Sequence, residues 1–244
     1  MLFVHGACHG AWCWAEHFLG FFADKGYRAL AVSLRGHGSS SMDRSLRGCS
    51  GADYVNDIRS VATGLPIAPV LIGHSMGGYL VQKYLESSPA PAGVLLASMS
   101  ARGGLKMSLR SFQRYPWLMT RFTFTGKSLR MFVAPERARE FLFSAMTPEA
   151  DVVRYAALLQ EESQRAMLDG MMFNIVKPKR ITTPLLVLGA EHDGAFTVSE
   201  QQALARAYGT EAEIVPGMGH NMMLEPGWAS VAERIHAWLD ARGL

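Results

Sequence analysis

Short apolar runs alternate along this chain with segments whose apolar residues recur at helical spacing. Leu2-Phe3-Val4, Arg28 to Leu34, Val70 to Ile72, Gly93 to Ala97, Pro184 to Leu188 and Ala212 to Val215 read as strands. Ala11 to Ala23, Ala52 to Thr63, Gly78 to Glu86, Val198 to Tyr208 and Trp228 to Leu239 read as helices. In the second of these, Tyr54, Val55, Ile58 and Val61 share one face. Strands alternating with helices predict an α/β protein, a parallel sheet of about six strands with helices on both faces. The stretch from Ala101 to Lys177 breaks the rhythm. It holds no convincing buried strand, is helical in pattern, and carries Arg110, Arg114, Arg121 and Arg130 among many methionines and aromatics. It reads as a helical cap (residues 101–177) inserted into a core made of residues 1–100 and 178–244. Its methionines have two readings: glue between cap and core, or the lining of a malleable apolar pocket.

Composition narrows the class. A chain of 244 residues suits one domain with an insertion and can bury a large core. A net charge of +3 without a dense basic stripe argues against nucleic-acid binding. Three cysteines, an odd number, are no disulfide framework and favour a reducing, cytoplasmic compartment. No signal peptide is visible, and no apolar run reaches the length of a membrane span.

The most informative run is Pro69 to Tyr79. An apolar strand enters Gly73-His74-Ser75-Met76-Gly77, and a helix follows at once. That is the strand–turn–helix setting of a nucleophile elbow, with Ser75 projecting from a sharp, strained turn. Gly73 and Gly77 sit where strand and helix backbones crowd. A serine hydroxyl needs a base beside it. His220, in the flexible loop Pro216-Gly-Met-Gly-His220 after the last strand, has the best context of the eight histidines. Asp193, after the strand ending at Leu188, is the expected carboxylate, with Glu191 as fallback; Asp193-Gly194 could also be a plain turn pair. The order Ser75, Asp193, His220 matches this architecture. The backbone N–H groups of Ala7 and Met76 are the expected oxyanion donors. His9, Met99 and Met222 are candidates for the substrate pocket.

Competing signals are weaker. His5, Cys8, His9 and Cys13 lack the spacing of a zinc site. His74, His37 and His192 read as structural or surface residues. Gly217-Met-Gly219 lacks the third glycine of a dinucleotide loop.

Taken together, Phe3 to Trp12, Arg35-Gly-His-Gly-Ser-Ser40, Gly73 to Gly78, Asp193 and Gly217 to His220 make the chain resemble an α/β-hydrolase. His5 to Trp12 is similar to plant methylesterases and hydroxynitrile lyases. The general pattern, with Arg35-Gly36-His37-Gly38, is like bacterial lysophospholipase-type hydrolases and lipases, and this comparison, covering more of the chain, is preferred. The resemblance implies an α/β-hydrolase fold whose usual N-terminal hairpin is missing, through truncation, a late start or true absence. The segment near Arg28 to Ser33 then becomes an apolar sheet edge, an association hazard that a neighbouring copy in a homodimer would cover. Ser33 stands where the family often has Asp.

The reading is a serine hydrolase acting on a small, partly apolar carboxylic ester. It needs no cofactor and no metal, because each catalytic task has a side chain or amide assigned. A lyase or C–C bond hydrolase using the same triad, or a ligand receptor on this fold, are the alternatives.

Overall fold

A computed structural model describes all 244 residues. Six strands, β1 (Leu2–Val4), β2 (Leu30–Val32), β3 (Leu71–His74), β4 (Gly93–Leu96), β5 (Leu185–Ala190) and β6 (Ala212–Val215), form one sheet in the order β2-β1-β3-β4-β5-β6. All five pairings are parallel. Parallel neighbours need crossovers, and helices supply them. α1 (Trp12–Ala15) and α2 (Phe18–Asp24) join β1 to β2, α3 (Gly51–Thr63) joins β2 to β3, and α4 (Met76–Leu85) joins β3 to β4.

Strand side chains alternate between the faces, and both faces are buried. Phe3, Ile72, Val94, Leu96, Leu186 and Leu188 pack with Trp14, Phe18 and Trp238 on one side. Leu2, Val4, Leu71, Leu95, Leu185 and Val187 pack with Tyr54, Ile58 and Leu204 on the other. This is why the strands read as continuous apolar runs. The chain leaves β1 for β2, then returns past β1 to β3. The crevice at that switch point opens at the carboxyl ends of the strands. Val4 is in register with Gly73, so the loops that follow β1 and β3 lie side by side.

Between β4 and β5 the chain forms no strand. It runs through α5 (Leu105–Arg114), α6 (Pro116–Thr125), a 3₁₀ turn (Leu129–Met131), α7 (Pro135–Leu142), α8 (Glu149–Ala157), α9 (Gln164–Leu168) and a π turn (Asp169–Phe173). α10 (Val198–Arg206) joins β5 to β6, and α11 (Trp228–Asp240) closes the fold. No helix is long and apolar enough to cross a membrane.

Two expectations need correction. The helix foreseen over Ala11 to Ala23 is broken at His17, whose backbone leaves the helical region (φ −139°). Its ring instead stacks on Trp228, with centroids 4.6 Å apart. The strand foreseen over Arg28 to Leu34 shrinks to three residues, Leu30–Val32, the length of β1, its only partner.

Candidate active site

Ser75 occupies the turn between β3 and α4 with φ 54° and ψ −118°. A non-glycine residue there carries about 1–3 kcal/mol of backbone strain and persists because its surroundings fix it. Those surroundings are backbone. A Cβ on Gly77 would strike the carbonyls of Val4 and His5. A Cβ on Gly6 would lie 2.8 Å from His74 Nδ1 and 3.0 Å from the Cβ of Ser75. The loop after β1 and the elbow after β3 therefore touch main chain to main chain.

Asp193 follows β5, and its Oδ1 and Oδ2 lie 2.9 and 3.0 Å from His220 Nδ1. Oδ1 also accepts the amides of Ala195 and Phe196, at 2.7 and 2.9 Å. The carboxylate is thus aimed by its own turn, and both side chains are buried. The turn reading of Asp193-Gly194 holds, and the same turn sets the carboxylate against the His220 ring. His220 is anchored through its main chain: its carbonyl accepts from His74 Nε2 at 3.0 Å. With Nδ1 engaged, Nε2 is the ring nitrogen left for a reacting group. Ser75 and His220 line the same cavity, and no hydrogen bond joins the hydroxyl to the ring in this structure. Glu191 turns elsewhere: half exposed, it accepts the Gly217 amide at 2.8 Å.

The loop after β1 is clamped from both sides. His9 Nδ1 donates to the Ala7 carbonyl at 2.7 Å, and the Cys8 amide donates to Glu162 Oε2 at 3.2 Å. The Cys8 carbonyl accepts from the Gln160 amide at 2.8 Å. Cys8 itself has φ 65°. The Ala7 amide has no protein acceptor. The Met76 amide, at the first position of α4, has no intrahelical one. Both residues line the cavity.

Glu162 is fully buried. Besides the Cys8 amide it accepts from Tyr54 Oη at 2.6 Å and the Ser163 amide at 2.6 Å. His37 Nε2 lies 3.2 Å from its Oε2, an ion pair too poorly aligned to count as a hydrogen bond. Burial disfavours charge on both, yet their mutual attraction wins: the histidine is held above and the carboxyl below its ordinary range. The other loop histidines go the opposite way. Burial pushes His5 down to about 3 and His9 down to about 4.

The cavity, of about 90 Å³, has mostly apolar walls. Of the three pocket candidates, His9 and Met99 line it. Met222 does not: it is fully buried in the core cluster that holds Phe3 and Trp14. The loop turns it inward, away from the cavity. The methionines of residues 101–177 divide. Met107, Met131, Met167 and Met171 line the cavity, Met119 packs on Phe122, and Met146 and Met172 are exposed. No group of three or more His, Cys, Asp or Glu residues is arranged to hold a metal ion.

Sequence reasoning missed three polar residues around the site: Glu162, Asn221, whose Nδ2 lies 3.1 Å from His9 Nε2, and Glu225. Glu225 accepts from the Ser144 amide, Ser144 Oγ and Thr147 Oγ1 at 2.6, 2.5 and 3.0 Å. Glu225 stands close enough to His220 to have been a signal. Glu162 lies far from every motif and carried none.

A strained serine elbow, a His–Asp pair at the rim of a parallel sheet and a free Ala7 amide on the loop after β1 define one class. The chain belongs to the alpha/beta hydrolase family, whose model matches residues 1–234. It is 30% identical over 178 residues to the pFDCC methylesterase MES16 of Arabidopsis thaliana, covering 69% of this chain and 67% of that one. It is 28% identical over 246 residues to a non-heme chloroperoxidase of Burkholderia pyrrocinia, covering 91% and 85%. With two other Arabidopsis methylesterases the match spans half of their length or less. The fold is shared with the putative non-heme bromoperoxidase BpoC of Mycobacterium tuberculosis H37Rv (TM-score 0.77, 22% identity, 99% of this chain and 91% of that chain). Three of the proteins named here are methylesterases, one of the resemblances drawn from the sequence, and the other two are haloperoxidases of the same fold.

Proposed function

We propose that this chain hydrolyses a small carboxylic ester through an acyl-enzyme on Ser75. Ser75 Oγ attacks the ester carbonyl while His220 Nε2 takes its proton, and Asp193 stabilises the imidazolium that forms. The Ala7 and Met76 amides receive the negative charge on the carbonyl oxygen. The intermediate collapses, the C–O bond to the alcohol breaks, and His220 returns the proton to the departing oxygen. Water, deprotonated by His220, then attacks the acyl carbon and frees the acid and Ser75. Residues 101–177 serve as a cap whose inner methionines meet the apolar part of the ester.

One observation carries the reading: Ser75, on a strained elbow, faces the same apolar cavity as His220, whose other nitrogen is engaged by a buried carboxylate. Relatives named as methylesterases support the ester bond as the target and put methyl esters first on a substrate panel. Fluorophosphonate labelling followed by peptide mass spectrometry tests it. Modification of Ser75, with turnover of at least one ester on the panel, is the expected result. Labelling elsewhere, or full turnover in Ser75→Ala, overturns it. A homodimer closed along the free edge of β2 is a separate proposal, and sedimentation velocity decides it.

A further inference from the structure

Residues 101–135 hold seven basic residues, Arg102, Lys106, Arg110, Arg114, Arg121, Lys127 and Arg130, and no Asp or Glu. The rest of the chain carries more acid than base. Of the seven, Arg110 pairs with Glu200 and Arg114 with Glu140, and the other five form no ion pair. The charge is therefore concentrated on this segment and largely unspent, and Arg114, Arg121, Arg130 and Arg137 line one groove on it.

The same segment also turns apolar side chains to solvent. On α5, Leu105, Leu109 and Phe112, at i, i+4 and i+7, form a stripe turned to solvent, while Ser111 is buried. On α6, Trp117, Arg121 and Phe124 share one face by the same spacing, and both aromatics are 77% exposed. A groove beside them brings Trp117, Arg121, Arg130, Val133 and Arg137 together, with no carboxylate in its walls.

We infer that this segment docks on an anionic lipid surface. Cations and exposed aromatics together match a bilayer interface, where headgroup charge attracts Arg and Lys and Trp settles at headgroup level. A second copy meeting the same segment would bring like charges together. The elements concerned also reach the catalytic cavity: Met107 of α5, Met131 and Phe132 line it from within. Docking would thus bring the cavity beside esters dissolved in the bilayer. That consequence rests on the ester-hydrolase reading, whereas vesicle binding does not.

Co-sedimentation of the full chain with phosphatidylcholine vesicles, and with vesicles mixing phosphatidylcholine and phosphatidylglycerol, tests the inference. The mixed vesicles are expected to bind at least about tenfold more protein, with binding falling as salt rises. Each of Lys106→Gln, Arg121→Gln and Arg130→Gln should weaken partitioning by about fivefold. Trp117→Ala should weaken it at every salt concentration. Ser75→Ala should bind as the unaltered chain does, which separates failure of docking from failure of the chemistry. Unchanged melting temperatures show that the variants fold. Equal binding to both vesicle types, no binding to either, full competition by inorganic phosphate, a dimer that buries Trp117, or capture by an oligonucleotide without vesicle binding would each overturn it.

Discussion

The molecule holds two buried histidine–carboxylate pairs, and only one leaves a ring nitrogen free at the cavity that Ser75 lines. In His220–Asp193, one ring nitrogen is engaged and the other is free at the wall of the cavity. In His37–Glu162, Nδ1 lies 3.2 Å from the Arg35 carbonyl and Nε2 faces the carboxylate, so the ring has no nitrogen to offer. Glu162 is also saturated by a phenol and two amides, one of them from the loop that carries Ala7. A His–carboxylate pair is therefore a generic way to orient an imidazole. What it does depends on what the second nitrogen meets. The first pair leaves a nitrogen open to the cavity; the second ties residues far along the chain to the loop that carries the Ala7 amide.

Substitutions can break this contrast. The largest effects belong to Ser75→Ala and His220→Ala, each expected to cut kcat by about 10⁶-fold with substrate binding retained. Asp193→Asn should follow at about 10⁴-fold, because it leaves the ring but favours the wrong tautomer. A parallel loss in Glu162→Gln would erase the distinction between the pairs. For Glu162→Ala the expected loss is in stability, about 3–5 kcal/mol by denaturant unfolding, since the buried Tyr54 hydroxyl and the Cys8 and Ser163 amides lose their acceptor. Its kcat should fall by less than about 100-fold, through a loosened Cys8 amide.

Proton linkage sharpens the comparison. His5 and His9 bind fewer protons folded than unfolded, so stability is expected to fall as pH drops from 6.5 towards about 4 for His9 and about 3 for His5. His37 opposes this. Its raised value gives stability that is complete below 6.5 and lost as pH rises through the folded value. Glu162 contributes above its ordinary 4.5 and loses that contribution as pH falls through its lowered value. Thermal unfolding across this range should therefore show a falling acid limb, flattened in His9→Asn. The smallest effect separates pocket from core. Met222→Leu should shift stability by less than about 1.5 kcal/mol and leave KM unchanged, whereas Met131→Ala should raise KM for apolar esters.

Much of the fold was legible because each sheet face is buried and each strand announces itself as an apolar run. Strand number, parallel order and the edge position of β2 followed from that and from the family resemblance. The elbow was legible because Gly73 and Gly77 are sterically required on either side of Ser75. The break at His17 was not, since stacking on Trp228 is a contact across most of the chain. Nor was the role of Met222: a methionine next to a candidate base looks the same in sequence whether it faces the cavity or the core.

The sequence alone determined what local rules govern: alternation of strands and helices, the strained turn at Ser75, the turn that aims Asp193, and the acid-free basic run from Ala101 to Pro135. Only the tertiary structure decided which distant groups meet. Glu162 reaches Cys8 across 154 positions, and nothing near either residue encodes that meeting. Its cause is the packing of one helical segment onto a sheet, where a buried carboxylate must find donors wherever the fold brings them.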